Sequence, residues 1–473
     1  MKKENTFVWW FVVVFLFVAV FVIFKTENSF GGSDTISHYK IAHWAWKYPH
    51  LLLDSWGKPV FTLLISPWAQ FGMNGARVYN VIIGLCTALL LWRLSFYLSI
   101  QHKWLGLFLV VFVPIYFISM FTSLTEVTFS FILILSVFLF YKDKMVWSAV
   151  VLSFLPFVRT EGAILFVLFI GAFALRKRYL AIPFLLTGFL VYSVAGWGYY
   201  HDFWWIVNQN PYSGNAVDIY GHGSLLHFID KMPVILGYPV VILFLIGLIV
   251  IIVHWIKSDK WRLSKSVYFL LLVPGSFLLY LAAHSFVWWR GMGNSLGLIR
   301  VMAAVAPAAS LTALVGMDWL LKSVQKFSRV LKLTVLSVFL IWIIMVGIST
   351  YLSAFSVSPT EKLLSETAIF IKHKQLDNNK IYYFDPYLAY KLGADPYSNQ
   401  IIQWYPKGNN PVAKLPGGCI VVWDAHFGPN EGREPLNDLL KNDAMGVVKI
   451  FRPKYPFKVL GGYDYSIYVF QKK

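Results

Sequence analysis

Residues 7–39 read FVWWFVVVFLFVAVFVIFKTENSFGGSDTISHY, an apolar run followed at once by a polar segment. The run from Phe7 to Phe24 is long enough for an α-helix to cross a bilayer. No small-residue cleavage pattern follows it at 25–28, so the run reads as a retained first helix and not as a signal peptide. Asp34 comes directly afterwards, in a loop too polar to face lipid, with His38 one helical turn further on.

Composition places the whole chain in the membrane. Of its 473 residues, 58% are hydrophobic and 14% are charged, whereas a soluble domain is roughly a quarter charged; the mean hydropathy is +0.61. We expect a polytopic α-helical protein with about eleven spans, and those around Leu155 and Phe169 are expected to be tilted, broken or cavity-lining. The apolar runs cover 7–24, 76–98, 104–121, 125–141, 146–158, 163–175, 179–198, 233–254, 266–283, 301–321 and 333–352.

The net charge of +18 follows the predicted topology. With the amino terminus placed in the cytoplasm, the inner segments hold seventeen basic and four acidic residues, and the outer loops before residue 353 hold nine and eight. This asymmetry is the positive-inside rule. No basic groove is left over, so nucleic-acid binding is not expected. The sequence therefore predicts a multi-pass protein of the cell membrane (inner or plasma membrane), surrounded by membrane lipids.

Two further regions are expected outside the spans. In the first outer loop, 25–75, Ile36–Tyr48 reads as an amphipathic helix and Pro59–Phe71 as an apolar helix that lies along the membrane interface. From Ser353 the composition becomes that of a soluble domain, which divides the chain into a transmembrane part, 1–352, and an extracytoplasmic α/β domain, 353–473. Its predicted helices are Glu361–Lys374 and Pro435–Lys441, and its predicted strands are Lys380–Phe384, Cys419–Trp423, Val447–Phe451 and Tyr465–Phe470.

Ionisable residues recur at the outer ends of the predicted spans, and at membrane depth each such group costs about 2.5 to 3.5 kcal/mol to insert. A cluster of them is therefore a hypothesis of function. Each has a structural alternative: Asp34 could cap the helix that follows it, and Thr125 with Glu126 could cap the fourth span. His38 alone could be an ordinary buried histidine.

The remaining charges interrupt apolar segments. Arg159 and Glu161 stand in the turn 156–162, where they could form a purely structural ion pair. Arg300 opens the tenth span, where it could reach the lipid headgroups. The alanines at 303–309 either leave room for a prenyl chain or mark tight helix packing. Most tryptophans read as interfacial anchors, although four could instead line a sugar site: Trp204, Trp205, Trp288 and Trp289.

This pattern resembles the polytopic membrane glycosyltransferases of the GT-C superfamily, which includes protein O-mannosyltransferases and the aminoarabinose transferase of lipid A. The resemblance covers about residues 1 to 350. It departs from the family where Ser33 stands before Asp34 instead of a second acid, and where Val60 replaces a second proline. The matching residues are Asp34, Lys58-Pro59, Gly72, Ala76-Arg77, Glu126, Arg159–Gly162, and Arg300 with Pro307.

The resemblance implies inverting transfer of a sugar from a polyprenyl-phosphate donor to a glycan, lipid or protein acceptor. Asp34 would take the acceptor's proton, with His38 and Glu126 orienting the acceptor, the donor sugar or Asp34 itself. Arg300, with Arg159 or Arg290, would hold the donor phosphate.

Further orienting side chains are expected at Glu161, Lys58 and His284. No cofactor is expected. A divalent metal held by Asp34, His38 and Glu126 is the alternative, but these scattered ligands are a weak signal, and we favour a metal-independent reaction.

Two other functions are alternatives for this sequence. A transporter or flippase for a lipid-linked or anionic solute would place its charges near mid-span and contain repeated halves. Here the charges gather at one face and no repeat is visible. A structural or assembly factor that presents its outer α/β domain is the third reading.

Overall fold

The computed structural model describes residues 2–98, 100–211, 217–257 and 265–473, which form a helical bundle and a carboxy-terminal α/β domain. The basic residues Lys260 and Arg262, part of the inner charge count, lie outside the described residues. The helices of the bundle are α1 (Lys2–Lys25), α2 (Ser33–Trp44), α3 (Pro59–Ala69), α4 (Gly72–Ser95), α5 (Leu105–Val111), α6 (Pro114–Met120), α7 (Glu126–Tyr141), α8 (Met145–Ser153), α9 (Phe166–Leu175), α10 (Thr187–Tyr200), α11 (Trp205–Asn208), α12 (Val217–Tyr220), α13 (His227–Asp230), α14 (Met232–Ile235), α15 (Tyr238–Ile256), α16 (Lys265–Leu272), α17 (Pro274–Arg290), α18 (Ala306–Gln325) and α19 (Arg329–Ser349).

Helices occupy every apolar run of the sequence, but not all of them are long. The run 104–121 is split into α5 and α6 at Pro114, because proline has no N–H to continue a helix. The runs around Leu155 and Phe169 are broken by 3₁₀ helices, as expected. Within the described residues, six helices are long and apolar enough to cross a membrane, by length and composition: Glu4–Lys25, Gly72–Leu98, Tyr179–Tyr200, Tyr238–Ile256, Ser266–Arg290 and Arg329–Ser349.

The helices α15 and α18 pack closely against each other. A Cβ on Gly247 would lie 2.0 Å from the Thr312 carbonyl oxygen, and one on Gly316 would lie 2.1 Å from that of Leu243. Only glycine permits backbones this close. The alanines at 303–309 are likewise fully buried, which favours tight packing over room for a prenyl chain.

The polar segment after α1 leads into α2, which begins three residues earlier than the sequence pattern predicts. Gly32 stands at the N-cap and Asp34 lies in the first turn, where its side chain makes no capping hydrogen bond. The carboxylate is therefore available for contacts elsewhere. α3 follows in the same loop and matches the predicted interfacial segment.

The carboxy-terminal domain is a five-stranded sheet in the order β2-β1-β3-β5-β4. β1 is parallel to both β2 and β3, and β5 is antiparallel to both β3 and β4. The predicted strands and helices are found, while α21 and β2 were not predicted. The elements are α20 (Pro359–His373), β1 (Ile381–Tyr383), α21 (Pro386–Leu392), β2 (Ile402–Trp404), β3 (Ile420–Asp424), α22 (Leu436–Leu440), β4 (Met445–Phe451) and β5 (Ile467–Lys472).

This domain packs on the loop that carries Asp34. Ser33 Oγ donates to Asp385 Oδ1 at 3.0 Å, and Ser29 N donates to Glu361 Oε1 at 2.9 Å. The end of the helical bundle covered by residues 353–473 is called the domain side below. Asp34 and the carboxy-terminal domain thus lie on the same side of the bundle.

Candidate active site

Arg300 holds the turn that precedes α2. Its Nη1 donates to the Gly31 carbonyl oxygen at 3.0 Å, and its Nη2 donates to Asp34 Oδ2. Gly31 has φ +93°, and a Cβ there would lie 2.5 Å from Arg300 Nη1. Glycine is therefore required at this position for two reasons: the backbone has a positive φ, and the guanidinium leaves no room for a Cβ. The pair of glycines before Asp34 is the sequence signal of this turn.

A chain of ion pairs runs from Arg300 into the bundle. Arg300 Nε lies 4.0 Å from Glu126 Oε1, which accepts from Arg159 Nη1 at 2.7 Å. Arg159 also donates to Glu161 Oε1 and Thr125 Oγ1, at 2.8 and 3.1 Å. Residues predicted separately at three span ends therefore form one network. Glu126 is only 1% exposed, and the loop before it is fixed by hydrogen bonds from the Asn80 amide to the carbonyls of 122 and 124.

Glu161 extends this network to α17. Tyr280 donates to its Oε1 at 3.2 Å, and His284 Nε2 lies 3.6 Å from the same oxygen. Tyr280 and His284 are four residues apart, so they share one face of the helix. Sequence reasoning found His284 but missed Tyr280, for which that spacing was the available signal.

Arg290 is placed elsewhere. It is exposed at the end of α17, lies over the Trp289 ring at 5.4 Å, and is not among the described residues that line the cavity. The structure thus brings Arg300 and Arg159 together and leaves Arg290 apart.

His38 and Lys58 complete the wall beside Asp34. His38 stacks on Trp56 with ring centroids 4.7 Å apart. Burial lowers its pKa to about 3, opposed by Asp34 and aided by the nearby cations, so the imidazole is neutral at ordinary pH. Lys58 donates to the Ser55 carbonyl at 3.0 Å and to Thr160 Oγ1 at 3.1 Å, and burial lowers its pKa to about 8.

Lys58 also has an unusual backbone. Its φ is +68°, a region that non-glycine residues rarely adopt and that often marks a functional position. It immediately precedes Pro59, the first residue of α3. The Lys-Pro pair therefore sets both the start of α3 and the position of the ammonium group.

The site residues predicted from the sequence, except Arg290, line one cavity of about 1820 Å³ between the bundle and the carboxy-terminal domain. Its lining belongs to the loops, helix ends and domain residues on the domain side. Four buried polar atoms of the lining have no hydrogen-bond partner among the described residues: Arg300 Nε, Glu126 Oε2, His38 Nδ1 and His284 Nε2. Buried polar atoms are nearly always paired in folded proteins, so this concentration marks a place where polar groups are held ready for a ligand.

The carboxy-terminal domain supplies the other wall, which sequence reasoning did not foresee. Asp385 follows β1, and Asp424 ends β3, so both lie at the carboxyl ends of parallel strands. Burial raises the pKa of Asp385 to about 6, and burial together with the neighbouring Asp385 raises that of Asp424 to about 8. Strand ends of this kind are frequent ligand sites, and that was the missed signal. Asp385 lines the cavity, whereas Asp424 is not among the lining residues. Further domain residues in the lining include Tyr397, Trp404, Lys407, His426, Glu431, Arg433 and Glu434.

No protein-family model matches the chain, and no curated protein matches its sequence. Solved structures match its fold. The crystal structure of ArnT from Cupriavidus metallidurans bound to undecaprenyl phosphate has a TM-score of 0.57 over 97% of this chain and 98% of that chain, with 11% sequence identity. The apo structure of the same protein gives 0.56 over 97% of both chains, with 12% identity. The predicted fold class is thereby confirmed: the chain has a GT-C-like polytopic membrane fold with a small carboxy-terminal α/β domain.

Proposed function

We propose that this protein is a membrane glycosyltransferase that moves a sugar from a polyprenyl-phosphate donor to a glycan, lipid or protein acceptor. The single observation that carries the proposal is the cluster of unpartnered, buried polar atoms around Asp34, Glu126 and Arg300. It lies in a large cavity at one end of a GT-C-like fold. Both cations and carboxylates are needed there, because the donor brings a phosphate and the acceptor must lose a proton.

The donor phosphate binds at Arg300, with Arg159 behind it. A guanidinium fork suits phosphate oxygens, and it stabilises the charge that the phosphate gains as it leaves. Arg300 Nε is buried without a hydrogen-bond partner among the described residues, so it has a donor to offer an incoming oxygen. The ArnT structure with bound undecaprenyl phosphate supports a lipid of this class as the donor's carrier.

Asp34 is the base. Its side chain is 43% exposed, in contrast to the 1% of Glu126, so it can be reached by an acceptor from the cavity. The acceptor oxygen attacks the anomeric carbon as its proton passes to Asp34. The bond from that carbon to the phosphate oxygen breaks, and the bonding pair leaves with the lipid phosphate. Attack opposite the leaving group inverts the anomeric centre.

Arg300 couples these two roles. Without substrates its Nη2 donates to Asp34, and a bound phosphate oxygen competes for this N–H group. Binding of the sugar donor therefore releases the Asp34 carboxylate to take the acceptor's proton. The base becomes available only when there is a sugar to transfer.

The other residues position these groups. Glu126 and neutral His38 orient Asp34 and the substrates, and Glu161, Lys58 and His284 hold the surrounding network in place. The reaction proposed here is metal-independent, with the charge on the leaving phosphate met by guanidinium groups. The protein resides in the cell membrane, with its amino terminus cytoplasmic and its carboxy-terminal domain extracytoplasmic.

The position of the cavity argues against the transporter or flippase alternative. A translocation path would be lined by residues from both ends of the helices, whereas this lining comes from the domain side. The charges therefore gather where a reaction needs them and not along a route across the bilayer.

The test is mass spectrometry of envelope glycans and glycoproteins from a strain lacking the protein. The strain is complemented with wild type, Asp34→Asn, or Glu366→Gln, which alters an exposed carboxylate outside the cavity lining. We expect one sugar to be missing in the deletion and restored by wild type and Glu366→Gln. Asp34→Asn should lower transfer at least about a hundredfold, the scale for removing a general base. Restoration by Asp34→Asn at the wild-type rate would contradict the assignment of the base.

A further inference from the structure

Trp404 is the tryptophan that the carboxy-terminal domain presents to the cavity. It ends the edge strand β2, is 50% exposed, and belongs to the lining. The tryptophans that the sequence offered as sugar contacts do not line the cavity: Trp204, Trp205, Trp288 and Trp289. Neither donor binding at Arg300 nor proton transfer to Asp34 accounts for the Trp404 indole.

The indole is firmly supported from one side. Its ring centroid lies 4.8 Å from that of the fully buried Tyr383, and Lys40 Nζ lies 5.8 Å from it. Lys40 is itself buried and donates to Tyr383 Oη at 3.2 Å. A ring held by its neighbours in this way loses little conformational freedom when a ligand stacks on it.

The carboxy-terminal domain also contributes polar side chains to this cavity. Asp385, Tyr397, Lys407 and Asn409 line it together with Trp404. An exposed indole at a membrane surface is usually an interfacial anchor, but this one lies in the α/β domain and lines the cavity. An aromatic face in a cavity that also offers hydrogen-bonding groups suits a sugar ring, whose C–H face packs on the indole while its hydroxyls bond to polar side chains.

α2 contributes to both the reaction site and the surroundings of Trp404. Asp34, Ser37, His38 and Ile41 line the cavity along one face of the helix. Lys40, on the same helix, approaches the Trp404 ring. The indole and the base therefore belong to one cavity.

We propose that Trp404 stacks on a sugar ring of the acceptor, so that the acceptor is an oligosaccharide or the saccharide headgroup of a glycolipid. This inference rests on the proposed function and narrows its acceptor from three classes to saccharides. A peptide acceptor is the competing outcome of the test.

The experiment measures binding to intact, donor-free protein in nanodiscs. The probes are envelope saccharides released from a strain lacking the protein and, separately, the peptide fraction of the same envelope. Saturation-transfer NMR and titration report contact and affinity. Undecaprenyl phosphate binding by each variant shows that the fold and donor site are intact.

We expect saccharides to bind, and Trp404→Ala to weaken that binding about tenfold. Trp404→Phe should restore most of it. Trp204→Ala, which removes an indole that is 58% exposed but lies outside the cavity lining, should have no effect. Undecaprenyl phosphate should bind all variants equally.

Saccharide binding by Trp404→Ala at wild-type affinity, or binding of the peptide fraction alone, would overturn the inference while leaving the transferase proposal to the complementation test. Conversely, Trp404-dependent saccharide binding in a protein whose deletion changes no glycan would uphold the subsite and refute the transferase.

Discussion

Replacement of Arg300 by lysine tests the donor site, because it keeps the charge and removes the fork. The guanidinium donates at once to the Gly31 carbonyl and to Asp34, and its Nε points towards Glu126 across 4.0 Å. A lysine ammonium is a single point donor on a flexible stem. It cannot keep both contacts and also present two parallel donors to a phosphate.

The expected loss follows from the contacts. A hydrogen bond to a charged group contributes about 1.5 to 3 kcal/mol. Loss of one such bond to the phosphate lowers donor affinity about ten- to hundredfold, at about 1.4 kcal/mol per tenfold. Arg300→Ala, which leaves the phosphate charge without its partner, should cost about 2 to 5 kcal/mol.

The assay is titration of the purified protein in nanodiscs with undecaprenyl phosphate, and in parallel with undecaprenol, which lacks the phosphate. Arg300→Lys should weaken only the first interaction. Arg290→Lys is the matched control, since Arg290 is exposed and outside the cavity lining. If Arg300→Ala bound undecaprenyl phosphate at wild-type affinity, the phosphate role would be refuted, and contact with lipid headgroups would be the better account of this arginine.

Four more outcomes are expected. Asp34→Asn should bind undecaprenyl phosphate more tightly than wild type, because the carboxylate no longer competes for Arg300; weaker binding would contradict the proposed competition. Gly31→Ala should lower the same affinity at least about tenfold, since its Cβ meets the guanidinium, whereas Gly32→Ala, with a positive φ but nothing within 4 Å of its Cβ, should not. Burial raises the pKa of Asp424 to about 8, so the folded state binds this proton more tightly than the unfolded state, and stability falls as pH rises from about 4 to 8. The Tm of Asp424→Asn minus the Tm of wild type should therefore increase across that pH range. A difference in Tm that stays constant would contradict this prediction. A reporter that is active only in the cytoplasm, fused after the last residue, should be silent.

The sequence predicted those features whose free energy depends on local residues alone. Long apolar runs predict helices regardless of what surrounds them, and proline at position 114 explains where one run breaks. Charges at span ends are expensive, so Asp34, Glu126, Arg159 and Arg300 could be grouped before any geometry was known. The structure places these four in one network.

The sequence could not predict roles that depend on the direction of a side chain or on contacts between distant parts of the chain. Arg290 and His284 lie on the same helix, six residues apart, which separates them by roughly 120° around the axis; only His284 faces the cavity. Asp385 belongs to the carboxy-terminal α/β domain, in which the sequence predicted no site residue. Its place beside the site comes from a contact with Ser33, 352 positions away in sequence, which no local pattern encodes.

That contact has a consequence for how the protein is made. Ser29 and Ser33 flank the two glycines before Asp34, and their partners, Glu361 and Asp385, belong to a part of the chain that is translated after the helical bundle. Through most of synthesis the loop is already out of the ribosome but lacks both tethers. The site therefore reaches its final geometry only after the carboxy-terminal domain has been translated, folded and seated on the bundle. A chain interrupted before this domain is made keeps the helices of the bundle, but the loop that carries Asp34 lacks both tethers.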